Sequence, residues 1–141
     1  MSILSVLILT LLISCNQSNV QKPLNCEEEI CLQLRNHNKS NKSVNIFMKN
    51  KVPVAGFQCD LKGITINSSD GGLLKQFEYQ SSNSDNRLLS FSMQGTLIPP
   101  GEGILTNITY SEIADSICID KIIFASKSGK QLTTNQPECF R

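Results

Sequence analysis

Six cysteines, one histidine and twelve acidic side chains are the residues of this 141-residue chain whose types could do chemistry. A Ser or Cys nucleophile needs a base beside it. The lone His37 lies in RNHNKSNKS, Arg35 to Ser43, a loop by composition with no nucleophile motif nearby. Zinc would call for closely spaced thiolates, and no Cys-x-x-Cys occurs. Glycoside hydrolysis needs two carboxylates facing one another. Asp60, Glu78, Asp85, Glu102 and Glu112 come from separate segments, and nothing in their spacing brings two together. Calcium suits the oxygens of Asn67, Asp70, Asn83, Asp85 and Asn86, but these lie in turn-like stretches without a D-x-D-x-D-G pattern, so no ligand set emerges. The expectation is a protein with no catalytic residue, no metal site and no required cofactor.

The cysteines point to export. Ile3 to Ile13 is an apolar run of signal-peptide length, too short to span a bilayer. It ends in Leu12-Ile13-Ser14-Cys15, which resembles a bacterial lipobox, the tetrapeptide whose cysteine accepts a diacylglycerol and becomes the first mature residue. No Lys or Arg follows Met1 in this region, and an ordinary secretory signal that ends near a cysteine is the alternative. Either signal leads to a compartment in which disulfides persist. With Cys15 lipidated, Cys26, Cys31, Cys59, Cys118 and Cys139 remain, and two pairs plus one thiol allow fifteen arrangements. Cys118 with Cys139 is the first candidate pair, because the two flank a final hairpin. Cys26 with Cys31 could close a small local loop. Cys59 falls where a core side chain is expected and reads as a small buried hydrophobe.

Length and charge bound the rest. A chain of this size with 40% hydrophobic residues can build one good core. A formal net charge of +1, with lysines scattered apart from Lys39, Lys42, Lys49 and Lys51, argues against a nucleic-acid surface or a polybasic membrane patch. Residues 1–14 read as signal peptide, 15–28 as lipidated cysteine and polar tether, and 29–141 as the folded domain. Within the tether, NQSNVQKPLN from Asn16 to Asn25 would reach roughly 30 Å if fully extended.

Two-residue periodicity organises the domain. Ile30, Leu32 and Leu34 alternate before the His37 loop, and Val44, Ile46 and Met48 after it. In VPVAGFQCDLKGITI, Val52 to Ile66, the residues Ala55, Phe57, Cys59 and Leu61 fall on one face, and Gly63 breaks the run before Ile64 and Ile66 resume it. Leu89, Phe91 and Met93 continue the pattern as core positions, as do Ile104, Thr106, Ile108 and Tyr110. NSSDGG and SSNSDN are turns, SEIADS suggests a helical turn capped by Ser111, and Ile117 to Ala125 pairs with Lys130 to Thr133 across Ser126 to Gly129. Short alternating runs separated by Gly, Pro, Ser and Asn define an all-β, antiparallel β-sandwich.

The motifs PVAGFQCDLKGITI, Asp70-Gly71-Gly72 and LLSFSMQGTLIPPGEGILTNITY, in that order, resemble the cohesin-like β-sandwiches of secreted and cell-surface proteins, a jelly-roll fold shared with carbohydrate-binding modules. The resemblance spans roughly Ile30 to Leu132 and is most specific at IPPGEGILTNITY. It implies a binding module. In cohesins a flat sheet face receives a small helical protein, the dockerin. Here the outward positions Gln58, Asp60, Ser90, Ser92 and Gln94 would form that face. The expected partner is a protein ligand at the cell surface, with an extracellular polysaccharide as rival and a small glycan-acting hydrolase as the reading from another class. Sugar platforms are usually built from Trp or Tyr, and this chain has no Trp and only Tyr79 and Tyr110.

Overall fold

In the computed structural model, which describes residues 22–141, the alternating runs become six strands: β1 (Ile30–Asn38), β2 (Ser43–Asn50), β3 (Gly56–Asp70), β4 (Gln80–Ser84), β5 (Arg87–Phe91) and β6 (Gly101–Ala125). A short helix, α1 (Gly72–Gln76), follows β3. The signal peptide, the lipidation site Cys15 and the first part of the tether lie outside the described residues.

All strands pair antiparallel in the order β1-β2-β6-β3-β5-β4. Two long strands fold this sheet over itself. β6 pairs through Gly101–Thr109 with β2 and through Asn107–Ala125 with β3, and its register against β3 shifts four times. Each irregularity bends the ladder and increases its twist, so the two halves of β3 and β6 stand in different layers. Gly63 sits at one shift, at φ +92, and a Cβ there would lie 1.9 Å from the Ser116 carbonyl oxygen. The break read from the sequence is thus where β3 and β6 come too close for any side chain. The sequence expectation of a cohesin-like β-sandwich is met by this antiparallel architecture.

Between the layers lie Leu32, Ile46, Met48, Phe57, Cys59, Leu61, Leu88, Leu105, Ile108, Ile119 and Phe124, all buried. Phe57 stacks on Phe124 with centroids 5.1 Å apart. Phe47, on the opposite parity of β2, is covered by the Arg35 guanidinium 3.4 Å above its ring.

The C-terminal segment closes the remaining side. After the turn Ser126–Gly129, Leu132 N–H donates to Phe124 C=O at 2.9 Å. The chain then crosses to β1, where Asn135 stands in for a strand backbone: its Oδ1 accepts from Leu32 N–H at 2.8 Å and its Nδ2 donates to Leu32 C=O at 3.0 Å. It returns to β6 at Phe140, which exchanges two backbone hydrogen bonds with Ile117. Disulfides join Cys118 to Cys139 beside this contact and Cys26 to Cys31 at the start of β1, while Cys59 is free and buried.

Three expectations are corrected. SEIADS is not helical: β6 runs extended through it, with Ile113 opposite Ile64, because β3 offers a ladder that outweighs the local capping signal. The side chain of Glu112 itself lies outside the described residues. In β5 the parity is reversed. Leu88 and Ser90 point inward, whereas Leu89, Phe91 and the following Met93 are exposed. Ser90 is therefore no outward residue; its hydroxyl is hydrogen-bonded to Ser81 Oγ at 2.9 Å and to Gln80 C=O at 3.2 Å.

Candidate protein-binding face

Register alone assembles a surface from four strands. Across β4, β5, β3 and β6, one row reads Ser82, Leu89, Gln58, Ile123, and the next reads Gln80, Phe91, Gly56, Ala125. These residues share the outer face of the layer whose inner face carries Phe57, Cys59 and Leu88. Leu89 and Phe91 are each 40% exposed and Ile123 44%. Three large apolar side chains thus share one outer face, where solvated sheets usually carry polar ones. Gly56 keeps its row open, since a Cβ there would lie 3.1 Å from Ser90 C=O and 3.4 Å from Phe91 Cβ.

A charged row borders this patch. Asp60 faces Arg87 on β5 and Asp120 on β6. Arg87 donates from Nε to Asp60 Oδ1 at 2.7 Å and from Nη2 to Oδ2 at 3.0 Å, the bidentate geometry that favours charge-assisted pairs. Lys121 Nζ stands 3.8 Å from Asp60 Oδ2, and Lys62 Nζ 2.7 Å from Asp120 Oδ2. The hydrogen bond from Arg87 holds the Asp60 carboxyl below its usual range, and Lys62 does the same for Asp120. Three cations meet two carboxylates, so the row keeps one surplus positive charge. Lys121, at left-handed φ 47, lies in the register shift of β6 that brings this side chain within reach of Asp60.

Of the five positions read as outward, Gln58 lies within the apolar patch, half-buried. Asp60 is on the same face but only 5% exposed, covered by its partners. Ser90 is on the inner face, and Ser92 and Gln94 lie beyond the end of β5, where Ser92 Oγ caps the turn by accepting from Thr96 N–H at 2.9 Å. The apolar members Leu89, Phe91 and Ile123 escaped sequence reading, because apolar residues in a strand are assigned to the core by default.

A second concavity, of about 510 Å³, lies beside α1 and is lined by Asp70, Lys75, Glu78, Gln80, Gln94 and Thr106 among others. Two of its acids thus share one groove, a proximity that sequence spacing did not reveal. Neither tyrosine offers a stacking platform. Tyr79 is buried with its single hydroxyl proton placed between Val54 C=O and Thr96 C=O, each 2.7 Å from its oxygen, and Tyr110 is buried against His37. Among the described residues, no group of three or more His, Cys, Asp or Glu side chains is placed to hold a metal ion.

No family model matches the chain, and no curated protein matches it. Among solved structures, it is similar to a chain from the crystal structure of the CaDoc0917–CaCohA2 complex, a cohesin complex, with a TM-score of 0.52 over 78% of this chain and 95% of that one at 10% identity. The likeness is one of fold, and the fold it supports is cohesin-like.

Proposed function

We propose that the protein is a non-catalytic binding module whose β4-β5-β3-β6 face docks a protein partner outside the cytosol. The observation that carries the reading is the clustering of Leu89, Phe91 and Ile123, all exposed, on one sheet face beside a charged row. Interfaces of this kind bury an apolar centre inside a polar rim. The surplus positive charge selects a partner that presents a carboxylate next to its apolar contact. The solved cohesin structure comes from a complex, which agrees with a protein ligand, and a dockerin-like helical module is the kind of partner the resemblance implies. Secretion fits two disulfides. Residues 1–14 would be removed, Cys15 lipidated, and residues 15–28 would tether the domain to the membrane surface.

Affinity capture from the secreted fraction of the producing cells, with the wild-type protein and a Leu89→Glu/Phe91→Glu variant in parallel, tests the reading. A protein retained by the first and lost with the second supports it. Proteins retained equally by both contradict it.

A second reading, polysaccharide binding or glycan hydrolysis, is favoured by the polar groove of Asp70, Lys75, Glu78 and Gln80. A glycan array separates the two. Specific retention abolished by Glu78→Gln, and unaffected by Phe91→Glu, would replace the protein-docking reading.

A further inference from the structure

On another part of the surface, a groove of about 680 Å³ is lined by Glu29, Val52, Pro53, Leu97 and Leu132, with the turn Ser126–Lys130 along its rim. Its walls are pinned by the backbone. Val54 and Ile98 exchange N–H···O=C bonds of 3.0 and 2.9 Å, holding Val52-Pro53 beside Leu97. Asn50 is buried beneath and ties the same two segments together, its Nδ2 donating to Val52 C=O and Pro99 C=O, each at 2.9 Å. The rim is fixed by Ser126 N–H donating to Lys130 C=O at 2.9 Å. An apolar trough held in this way exists before any ligand arrives, which lowers the ordering cost of binding.

Charge identifies the ligand chemistry. Lys127 and Lys130 are exposed on the rim, and neither has a carboxylate partner among the described residues. The one acid of the groove, Glu29, is engaged elsewhere: its Oε2 accepts from Thr133 N–H at 2.9 Å and from Thr133 Oγ1 at 3.4 Å. Those neutral donors leave Glu29 its charge, so the groove offers aliphatic walls at its centre and two ammonium groups against one carboxylate, a net positive lining.

We propose that this groove is a binding site for a medium-chain fatty acid, with the alkyl chain against Val52, Pro53, Leu97 and Leu132 and the carboxylate at Lys127 and Lys130. The walls supply area for hydrophobic transfer, and the lysines distinguish a carboxylate from a neutral head group. The groove shares no lining residue with the rows of the sheet face proposed to dock a protein, so either proposal can fail without the other.

Titration of the ¹⁵N-labelled protein with sodium dodecanoate below its micelle concentration, and in parallel with dodecanol, tests the proposal. Expected are saturable amide shifts at Val52, Leu97 and Ser126 to Lys130, with dodecanoate binding at least ten-fold more tightly than dodecanol. A Lys127→Glu/Lys130→Glu variant, altered only at exposed positions, should lose that preference. No saturable shift, equal affinity for the acid and the alcohol, an undiminished preference in the variant, or binding only to anionic phospholipid vesicles would each overturn it.

Discussion

Arg87 and Asp60 face each other across the β3–β5 ladder and share two hydrogen bonds, of 2.7 and 3.0 Å. The pair fixes the charged end of the proposed docking face, and its carboxylate is nearly buried.

That relationship predicts how stability depends on pH. The Asp60 carboxyl is held below its ordinary value in the folded state, foremost by its hydrogen bond to Arg87. Its contribution is therefore complete above the unfolded value of about 4 and is lost as pH falls through the lower folded value. Thermal unfolding followed from pH 7 to pH 2 should show the melting temperature of the wild type dropping more steeply at the acid end than that of Asp60→Asn. Parallel curves would show that the pair is unimportant for stability.

Cys59 is fully buried, and burial, with the neighbouring Asp60 charge, pushes its thiol pKa up to about 12. The thiol should resist iodoacetamide in the native protein at pH 8 and react only on unfolding. Cys59→Ser places a hydroxyl in the core and should cost about 1–3 kcal/mol in chemical denaturation.

The two disulfides should differ in worth. Cys118 and Cys139 are 21 residues apart, Cys26 and Cys31 only 5. Closing the longer loop removes more freedom from the unfolded chain, so Cys118→Ser/Cys139→Ser should lose about 3 kcal/mol and Cys26→Ser/Cys31→Ser less. Urea denaturation of the two double variants checks the order.

Gly63 admits no side chain, because both its φ of +92 and the nearby Ser116 carbonyl forbid a Cβ. Gly63→Ala should cost more than the roughly 1–3 kcal/mol of backbone strain alone, read as a large fall in melting temperature. Gly71→Ala, with nothing within 4 Å of its Cβ at a φ of +75, is the control that carries strain without overlap.

Much of the fold was legible where one parity is apolar and the other is not. In β3, Phe57, Cys59 and Leu61 alternate with Gln58 and Asp60, and the inward face follows at once. β5 defeated the same reasoning, because RLLSF carries large apolar residues on both parities and seats a serine inside. The inward serine is tolerated because Ser81 and Gln80 of β4 satisfy its hydroxyl, and β4 is nowhere named by alternation. The candidate site was half legible. Gln58 and Asp60 were readable as outer-face residues, but Leu89, Phe91 and Ile123 look like core until their neighbours are known, and Arg87 meets Asp60 only through register. At SEIADS a capping signal competed with a long ladder, and the ladder prevailed.

Hydrogen–deuterium exchange with and without the captured partner tests the docking face most directly. Slowed exchange confined to Gly56–Asp60, Arg87–Phe91 and Asp120–Ala125, and absent with the Leu89→Glu/Phe91→Glu variant, is the predicted result. Protection mapping instead to β1 and β2, with those three segments unchanged, would contradict it.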